Sequence, residues 1–293
     1  MNRRTIILSL LLSCSTLLFL TRDSLGWGSR SHPEIHRHAV RVLPAEMKAF
    51  FERHADTLAA RSNEPDLRRR ADSLEGYYHF IDIDRYGAYP FPELPRSYAE
   101  AVKKFGKATV DTNGTLPWRI AEFTSRLSDA MKRNDEAEIL YCASYLGHYV
   151  ADAHVPLHTV ENYDGQLTNQ KGIHARWESR IPEMYGENFR YDVGAPYRIE
   201  DPLASAFGIV LESHLLADSV LALDMEAREG IPEHELMKMV ERRGWTELQM
   251  SEKYYARYYK LLNGMVERQL AASARRVASY WYTAWVDAGK PDL

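Results

Sequence analysis

Thiols are scarce in this chain: 293 residues hold only two cysteines, Cys14 and Cys142. A disulfide framework is thereby excluded, and so is a zinc site built on clustered thiolates. Basic excess is missing as well. Thirty-seven lysines and arginines face 41 aspartates and glutamates, a formal net charge of −4, which is the wrong sign for broad attachment to a phosphate backbone. A phosphate-bearing substrate would need bound cations to attract it locally. There is no internal repeat and no low-complexity tract, and the one long apolar run is Thr5–Leu20.

That run follows Arg3 and Arg4 and precedes Ser24-Leu25-Gly26, giving the basic start, apolar middle and small-residue exit of a secretory signal. It is short for a membrane span, and no comparable run follows. Residues 1–26 are expected to be a signal peptide cut after Gly26, so that a secreted or periplasmic protein begins at Trp27 with no transmembrane segment. Lipoprotein processing at Cys14 is the rival reading, and the continuation of the apolar run past Cys14 speaks against it. Cleavage would remove Arg3, Arg4, Arg22 and Asp23, leaving 34 basic against 40 acidic residues. It would also leave Cys142 alone, so an exported chain would be held by its core or by metal rather than by a disulfide.

What is present is helical text with a 45% hydrophobic content, enough for a real core. Helices are expected from Pro33 (PEIHRHAVRVL) and again from Pro44 (PAEMKAFFERHADTLAA), where proline suits a first turn. Arg61 to Glu75 is charged and irregular. Tyr77 to Asp84 (YYHFIDID) has strand-like content, but without a partner strand it reads as an ordered loop, as do residues 86–97 with Pro90, Pro92 and Pro95. Leu116 to Arg133 is amphipathic, and Asn134 is expected to cap the next helix, DEAEILYCASYLGHYVADAH. Tyr163 to Gly172 reads as a loop and Pro202 to Glu229 as a long helix. After a polar bridge, Thr246 to Ala288 is expected to supply two more helices. The sum is one all-α domain over residues 27–293.

Chemistry concentrates between Leu146 and Glu178. His148 and Asp152 are four apart, so on a helix both point off one face. Pro156 breaks that helix, His158 follows the break, and His174 and Glu178 repeat the four-residue step. Imidazole and carboxylate are the ligands zinc accepts from a chain without spare thiols. Trp27 and His32 near the expected N-terminus, with Asp66 and His79 around the first loop, extend the set. Each pair alone has a bland reading: a buried ion pair for His148/Asp152, a solvated helix pair for His174/Glu178, a core aromatic for Trp27. Asp72 and Asp84 compete with Asp66. His36 lies four past His32. His38 and His54 look like surface helix positions, His154 should face away, and His214 and His234 lack a partner pattern, while Glu161, Asn162 and Lys171 could line a cleft.

Taken in order, WGSRSH, PD…HFID, HYVADAHVPLH and HARWE resemble the motifs of the zinc-dependent phospholipase C superfamily, which includes the type I single-strand-specific (S-one/P-one) nucleases. The resemblance runs from Trp27 to Glu178, about half of the chain after the signal. It implies a multi-helix domain around a three-zinc cleft. One zinc would be held by Asp66, His79, His148 and Asp152. A second would take the free amine and carbonyl of Trp27, His32 and the far oxygen of Asp152, and a third His158, His174 and Glu178. Asp66 is preferred because the family's carboxylate precedes the HF histidine by a dozen or so residues, and the family motif does not use the position of His36. The implied catalytic residues are Asp66, orienting or deprotonating the attacking water, and the bridging Asp152. Phe80 and Asp82 would bind substrate by stacking on a base and accepting from its edge. Zinc supplies the driving chemistry by lowering the pKa of bound water from about 15.7 to about 7.

The substrate is a phosphodiester, and the motifs divide over which. The five-residue step from Trp27 to His32 and the HFID motif resemble the nucleases. Glu178 in place of Asp, Tyr149 after His148, and the short interval from His158 to His174 resemble the phospholipases. The sequence reading is a secreted nuclease cleaving single-stranded DNA or RNA. The alternatives are a phospholipase C acting on phospholipid head groups and, below that, a non-catalytic helical protein with structural zinc. No protein partner is implied.

Overall fold

The computed structural model of the chain describes residues 27–242 and 245–293. The expected signal peptide, 1–26, lies outside the described residues. Four helices open the fold, α1 (Gly28–Arg41), α2 (Ala45–Arg53), α3 (Ala55–Arg61) and α4 (Glu64–Arg68), followed by 3-10 turns at Glu75–Tyr78 and Ile83–Tyr86. Then come α5 (Tyr98–Phe105), α6 (Lys107–Thr112) and the long pair α7 (Leu116–Lys132) and α8 (Glu136–Asp152). Beyond a 3-10 turn at Pro156–Thr159, α9 (Ile173–Ala175) runs through a π-turn (Arg176–Arg180) into α10 (Ile181–Tyr185). The remainder is α11 (Pro202–Arg228), α12 (Glu233–Leu236), the strands β1 (Met237–Arg242) and β2 (Trp245–Met250), α13 (Glu252–Leu262) and α14 (Met265–Asp287). The fold is all-α; one two-stranded antiparallel hairpin is the only sheet among the described residues.

The fold is organised on α8. Every residue from Cys142 to Asp152 is buried, as a helix apolar on all its faces requires. α7 packs along it, and α14 and α3 lie against it. Two tryptophans from distant elements donate indole N–H groups to its carbonyls, Trp281 to Ala143 at 3.0 Å and Trp27 to Ala151 at 2.8 Å. The helix stops where the sequence says it must. Pro156 forces Val155 out of helical geometry, to φ −83° and ψ 114°, because the ring crowds the preceding residue. The two polar side chains that α8 buries near this end are His148 and Asp152.

Four local expectations need correction. The first helix begins at Gly28, and Pro33 sits inside it rather than at its start. Asp135, not Asn134, caps α8, accepting from the Glu138 N–H at 3.2 Å; Asn134 instead takes a left-handed φ of 52°, which asparagine tolerates. Part of the stretch expected to be irregular, Arg61 to Glu75, is helical as α4, and it carries Asp66. The region after Pro232 is a hairpin before α13 and α14. Met237 and Met239 pair with Met250 and Leu248 on one face, yet Met237, Met239 and Leu248 are exposed, so the hairpin is not the half-buried kind that alternation signals.

α11 is long and apolar enough, by length and composition, to cross a membrane. Here it packs against α7, α13 and the Pro156–Thr159 turn, and Ser213 donates to the Ala153 carbonyl at 2.7 Å.

Candidate metal centre

Five separate segments converge at the C-terminal end of α8. α1 brings His32, α4 brings Asp66, the turn after Glu75–Tyr78 brings His79, α8 supplies His148 and Asp152, and the Pro156–Thr159 turn supplies His158. The α9–π-turn segment adds His174 and Glu178. All eight of these side chains are buried except His174, which is half-buried.

The approach of α1 to α8 depends on Gly147. A Cβ there would sit 2.4 Å from His36 Nε2. Glycine inside a helix costs about 0.5–1 kcal/mol relative to alanine, and here the missing side chain admits the His36 ring. His36 Nδ1 lies 2.8 Å from the His32 carbonyl and Nε2 3.1 Å from the Ser144 carbonyl, so it ties together the two helices that carry His32 and His148. It is a strut between them, although it stands at a four-residue step from His32.

Around Asp152 the separations are short. Oδ2 lies 2.9 Å from His79 Nδ1 and 3.2 Å from His148 Nε2, and those two nitrogens are 3.0 Å apart. Asp66 Oδ1 is 3.7 Å from His79 Nδ1. Asp152 Oδ1 faces His32 Nε2 at 3.4 Å and His158 Nδ1 at 3.9 Å. In the second cluster His174 Nε2 is 3.0 Å from both His158 Nε2 and Glu178 Oε2, and His158 Nε2 is 3.6 Å from Glu178 Oε2. Within His79, His148 and Asp152, within His158, His174 and Glu178, and within His32, Asp66 and His148, the ligand atoms all lie within 4.8 Å of one another.

These distances fit zinc. Ligands bonded at about 2.1 Å in a tetrahedron stand roughly 3.4 Å apart, inside the range found here. The hydrogen-bond bookkeeping agrees. Both ring nitrogens of His32, Asp66 Oδ2, His79 Nε2, Asp152 Oδ1 and His158 Nδ1 are buried without a hydrogen-bond partner. Each such orphan costs about 1–3 kcal/mol, so a cluster of them calls for a cation. A carbonyl behind the site supports the same geometry: Ser62 O lies 2.8 Å from His148 Nδ1, which fixes the proton there and leaves the Nε2 lone pair facing Asp152.

Electrostatics agree for three of the four rings, while the carboxylates around His148 hold a proton on it in the absence of a cation. Burial lowers His32 and His79 to about 3 and His158 to about 4, so all three present neutral nitrogens at pH 7. Burial would lower His148 too, but Asp152 and Asp66 outweigh it and raise that ring to about 9. For Asp152, burial opposes ionisation, yet His148 and His158 hold its carboxyl well below the usual range. Asp66 is left least compensated, and burial lifts it to about 7.

The second cluster stands on a separate support. Arg176, between His174 and Glu178, donates to Asp224 Oδ1 at 3.1 Å and to the Gln170 and Lys171 carbonyls at 2.7 and 2.9 Å. Asp224 on α11 also takes Gln170 at 2.8 Å, Arg228 at 2.7 Å and the Tyr254 hydroxyl of α13. Glu178 itself lies in the π-turn, a geometry that often marks functional sites.

Of the remaining expected residues, Trp27 is fully buried against Trp177, with ring centroids 5.1 Å apart. Phe80 and Asp82 are half-buried on the segment after His79, which is tied to the other cluster by Ile81 N–H donating to the His158 carbonyl at 2.9 Å. The rivals of Asp66 are engaged elsewhere: Asp72 accepts from Leu74 N–H at 3.0 Å and Asp84 from Glu161 N–H. His154 turns away, its Nδ1 2.8 Å from the Val150 carbonyl.

Three residues escaped the sequence reading. Arg69 reaches Asp66 Oδ1 at 3.4 Å with its side chain 29% exposed, a cation at the rim of the cluster. Glu75 is fully buried, accepts from the Tyr149 hydroxyl and lies 3.8 Å from His79 Nε2. His214, set aside for want of a partner, meets the Thr159 carbonyl at 3.1 Å beside His158. The one signal available was the single-turn spacing of Arg69 from Asp66.

Comparison with known proteins adds the following. The model of the family described as S1/P1 Nuclease matches residues 27–284. No curated protein matches the chain. Among solved structures, the alpha toxin from Clostridium absonum matches with a TM-score of 0.53 and 13% identity, covering 92% of this chain. The alpha-toxin of an avian Clostridium perfringens strain matches with a TM-score of 0.52 and 14% identity, also over 92% of this chain. The chain spans only 65% and 66% of those two proteins, and at such identity the likeness is one of fold.

Proposed function

Because this chain belongs to the S1/P1 nuclease family, we propose that it is a zinc-dependent phosphodiesterase that hydrolyses single-stranded DNA or RNA. The observation that carries the proposal is the convergence of unpartnered, buried imidazole and carboxylate atoms from five segments at one end of α8. Asp66, His79, His148 and Asp152 would hold one ion, His32 with Asp152 and the N-terminal Trp27 a second, and His158, His174 and Glu178 a third. Zinc bound there would bring a water's pKa toward neutrality and polarise a phosphoryl oxygen.

The chain's own groups then have separate tasks. Asp66 Oδ2 has no hydrogen-bond partner, so it is placed to orient the attacking water and take its proton. Arg69 offers a guanidinium to a phosphate oxygen. Asp152 keeps its charge and spans the first two ligand groups. Phe80 stacks on a base, and Asp82, lifted to about 7 by burial with Asp84 adding to it, meets the base edge. A free amine at Trp27 requires removal of residues 1–26, so export belongs to the proposal.

A second reading rests on exposed apolar side chains, one of them beside the second cluster. Tyr163 is 50% exposed with its ring 6.0 Å from His174, and Leu167 and Leu215 are 66% and 60% exposed. These would suit a phospholipid surface. Parallel assays on single-stranded DNA, single-stranded RNA and phosphatidylcholine vesicles separate the two. Nucleic acid is expected to be cleaved, with chelation abolishing turnover; head-group release without nuclease activity would overturn the proposal.

A further inference from the structure

Outside the metal cluster, four aromatic side chains line a cavity of about 240 Å³ walled by Tyr77, Tyr78, Tyr98, Trp118, Arg119 and Asp111. It lies between the Glu75–Tyr78 turn, α5, α6 and the start of α7. The Arg119 guanidinium stacks 4.1 Å from the Tyr78 ring, and its Nε has no hydrogen-bond partner. Tyr98 and Trp118 meet edge-on at 5.5 Å. Lys107, 70% exposed, stands at the rim beside Asp111.

This cavity shares a wall with the metal-bearing segment. Thr115 N–H donates to the Tyr77 carbonyl at 2.7 Å and Leu116 N–H to the Phe80 carbonyl at 3.2 Å. Residues 77–80 are thus fixed to the start of α7. The rings of Tyr77 and Phe80 are 6.4 Å apart, so Tyr77 stands between the cavity and Phe80. We infer that the cavity is a second nucleobase subsite, which takes a neighbour of the base stacked on Phe80. The inference rests on the nuclease reading.

The occupant follows from the walls. The volume falls below the roughly 300–1,000 Å³ of clefts that enclose drug-sized ligands, which suits one planar base with its phosphate left at Lys107. Aromatic faces bind any base by stacking. An acyl chain would lay hydrocarbon against the Asp111 carboxylate, which pairs with Lys107 and accepts from the Tyr98 hydroxyl, at the cost of covering charged groups.

The test compares an eight-nucleotide single strand with the p-nitrophenyl phosphodiester of a single nucleoside, which has no neighbouring base. Leu74→Trp, at a 55% exposed residue lining the cavity, should fill it, and Trp118→Leu should remove a wall. In each variant the ratio of octanucleotide KM to single-nucleoside ester KM is expected to rise roughly 5- to 100-fold, the factor lost with one stacked base. An unchanged ratio in a folded Leu74→Trp protein overturns the subsite, whatever happens to Trp118→Leu. A readout without turnover uses adenosine 5′-monophosphate added to metal-free protein: it should quench fluorescence in wild type and not in Trp118→Phe. Quenching without cleavage of any nucleic acid would keep the subsite and remove the nuclease reading. Cleavage with an unmoved KM ratio would do the reverse.

Discussion

Turnover by the Asp152→Asn variant should fall at least about 10³-fold, the upper range for removing one electrostatic contact in an active site, and bound zinc should fall with it. The reason is position. Asp152 is the one carboxylate that faces His32, His79, His148 and His158 together, so both of its oxygens belong to ligand groups. Asparagine keeps the shape and loses the charge. The amide would also turn an N–H₂ toward imidazole nitrogens that must offer lone pairs. Breaking a buried charge pair typically costs about 3–5 kcal/mol, so the metal-free variant should also melt earlier. His154→Ala, two residues on, is the contrast: its ring meets the Val150 carbonyl and touches none of the cluster, so its kcat should stay within a few-fold of wild type. Equal losses from the two would mean that the active face of α8 has been misassigned. Zinc content and single-turnover kinetics on a short single-stranded oligonucleotide check both.

A second large effect is expected from His174→Ala, and it should differ in kind. His174 contacts His158 and Glu178 and is held by the Arg176–Asp224 support, so its loss should empty one ligand group and leave the other two filled. Zinc should drop by one ion per chain, and kcat should fall by about 10²–10³-fold, the range for losing one preorganised charge stabiliser. Thermal stability should change little, because the side chain is 15% exposed and can be replaced by water. Loss of all the zinc would show instead that the clusters form one cooperative site.

Much of the candidate site was legible because the side chains that come together stand at the regular steps a metal site would use. Four-residue steps on helices put His148 with Asp152 and His174 with Glu178, and Pro156 announced the break that lets His158 swing back. The nearness of His32 and Asp66 to Asp152 was not written locally. It depends on how α1 and α4 pack on α8, and on a contact between Gly147 and His36 that no spacing rule contains. Arg69, Glu75 and His214 were unreadable for a related reason. The partners of Glu75 and His214 are a tyrosine hydroxyl and a backbone carbonyl set by tertiary contact, and the local Arg69–Asp66 step gains meaning only once Asp66 is placed in the cluster. The hairpin of β1 and β2 escaped because it leaves both faces largely to solvent, and Asn134 was mistaken for the α8 cap because Asp135, one residue on, is an equally good capping type.

The most direct measurement is the metal content of the purified chain beginning at Trp27, by elemental analysis after removal of loosely bound ions. Close to three zinc ions per chain is the expected result. One ion, or none, would contradict the account, because the unpartnered nitrogens and oxygens gathered at the end of α8 would then serve some purpose other than holding the metal that the proposed hydrolysis needs.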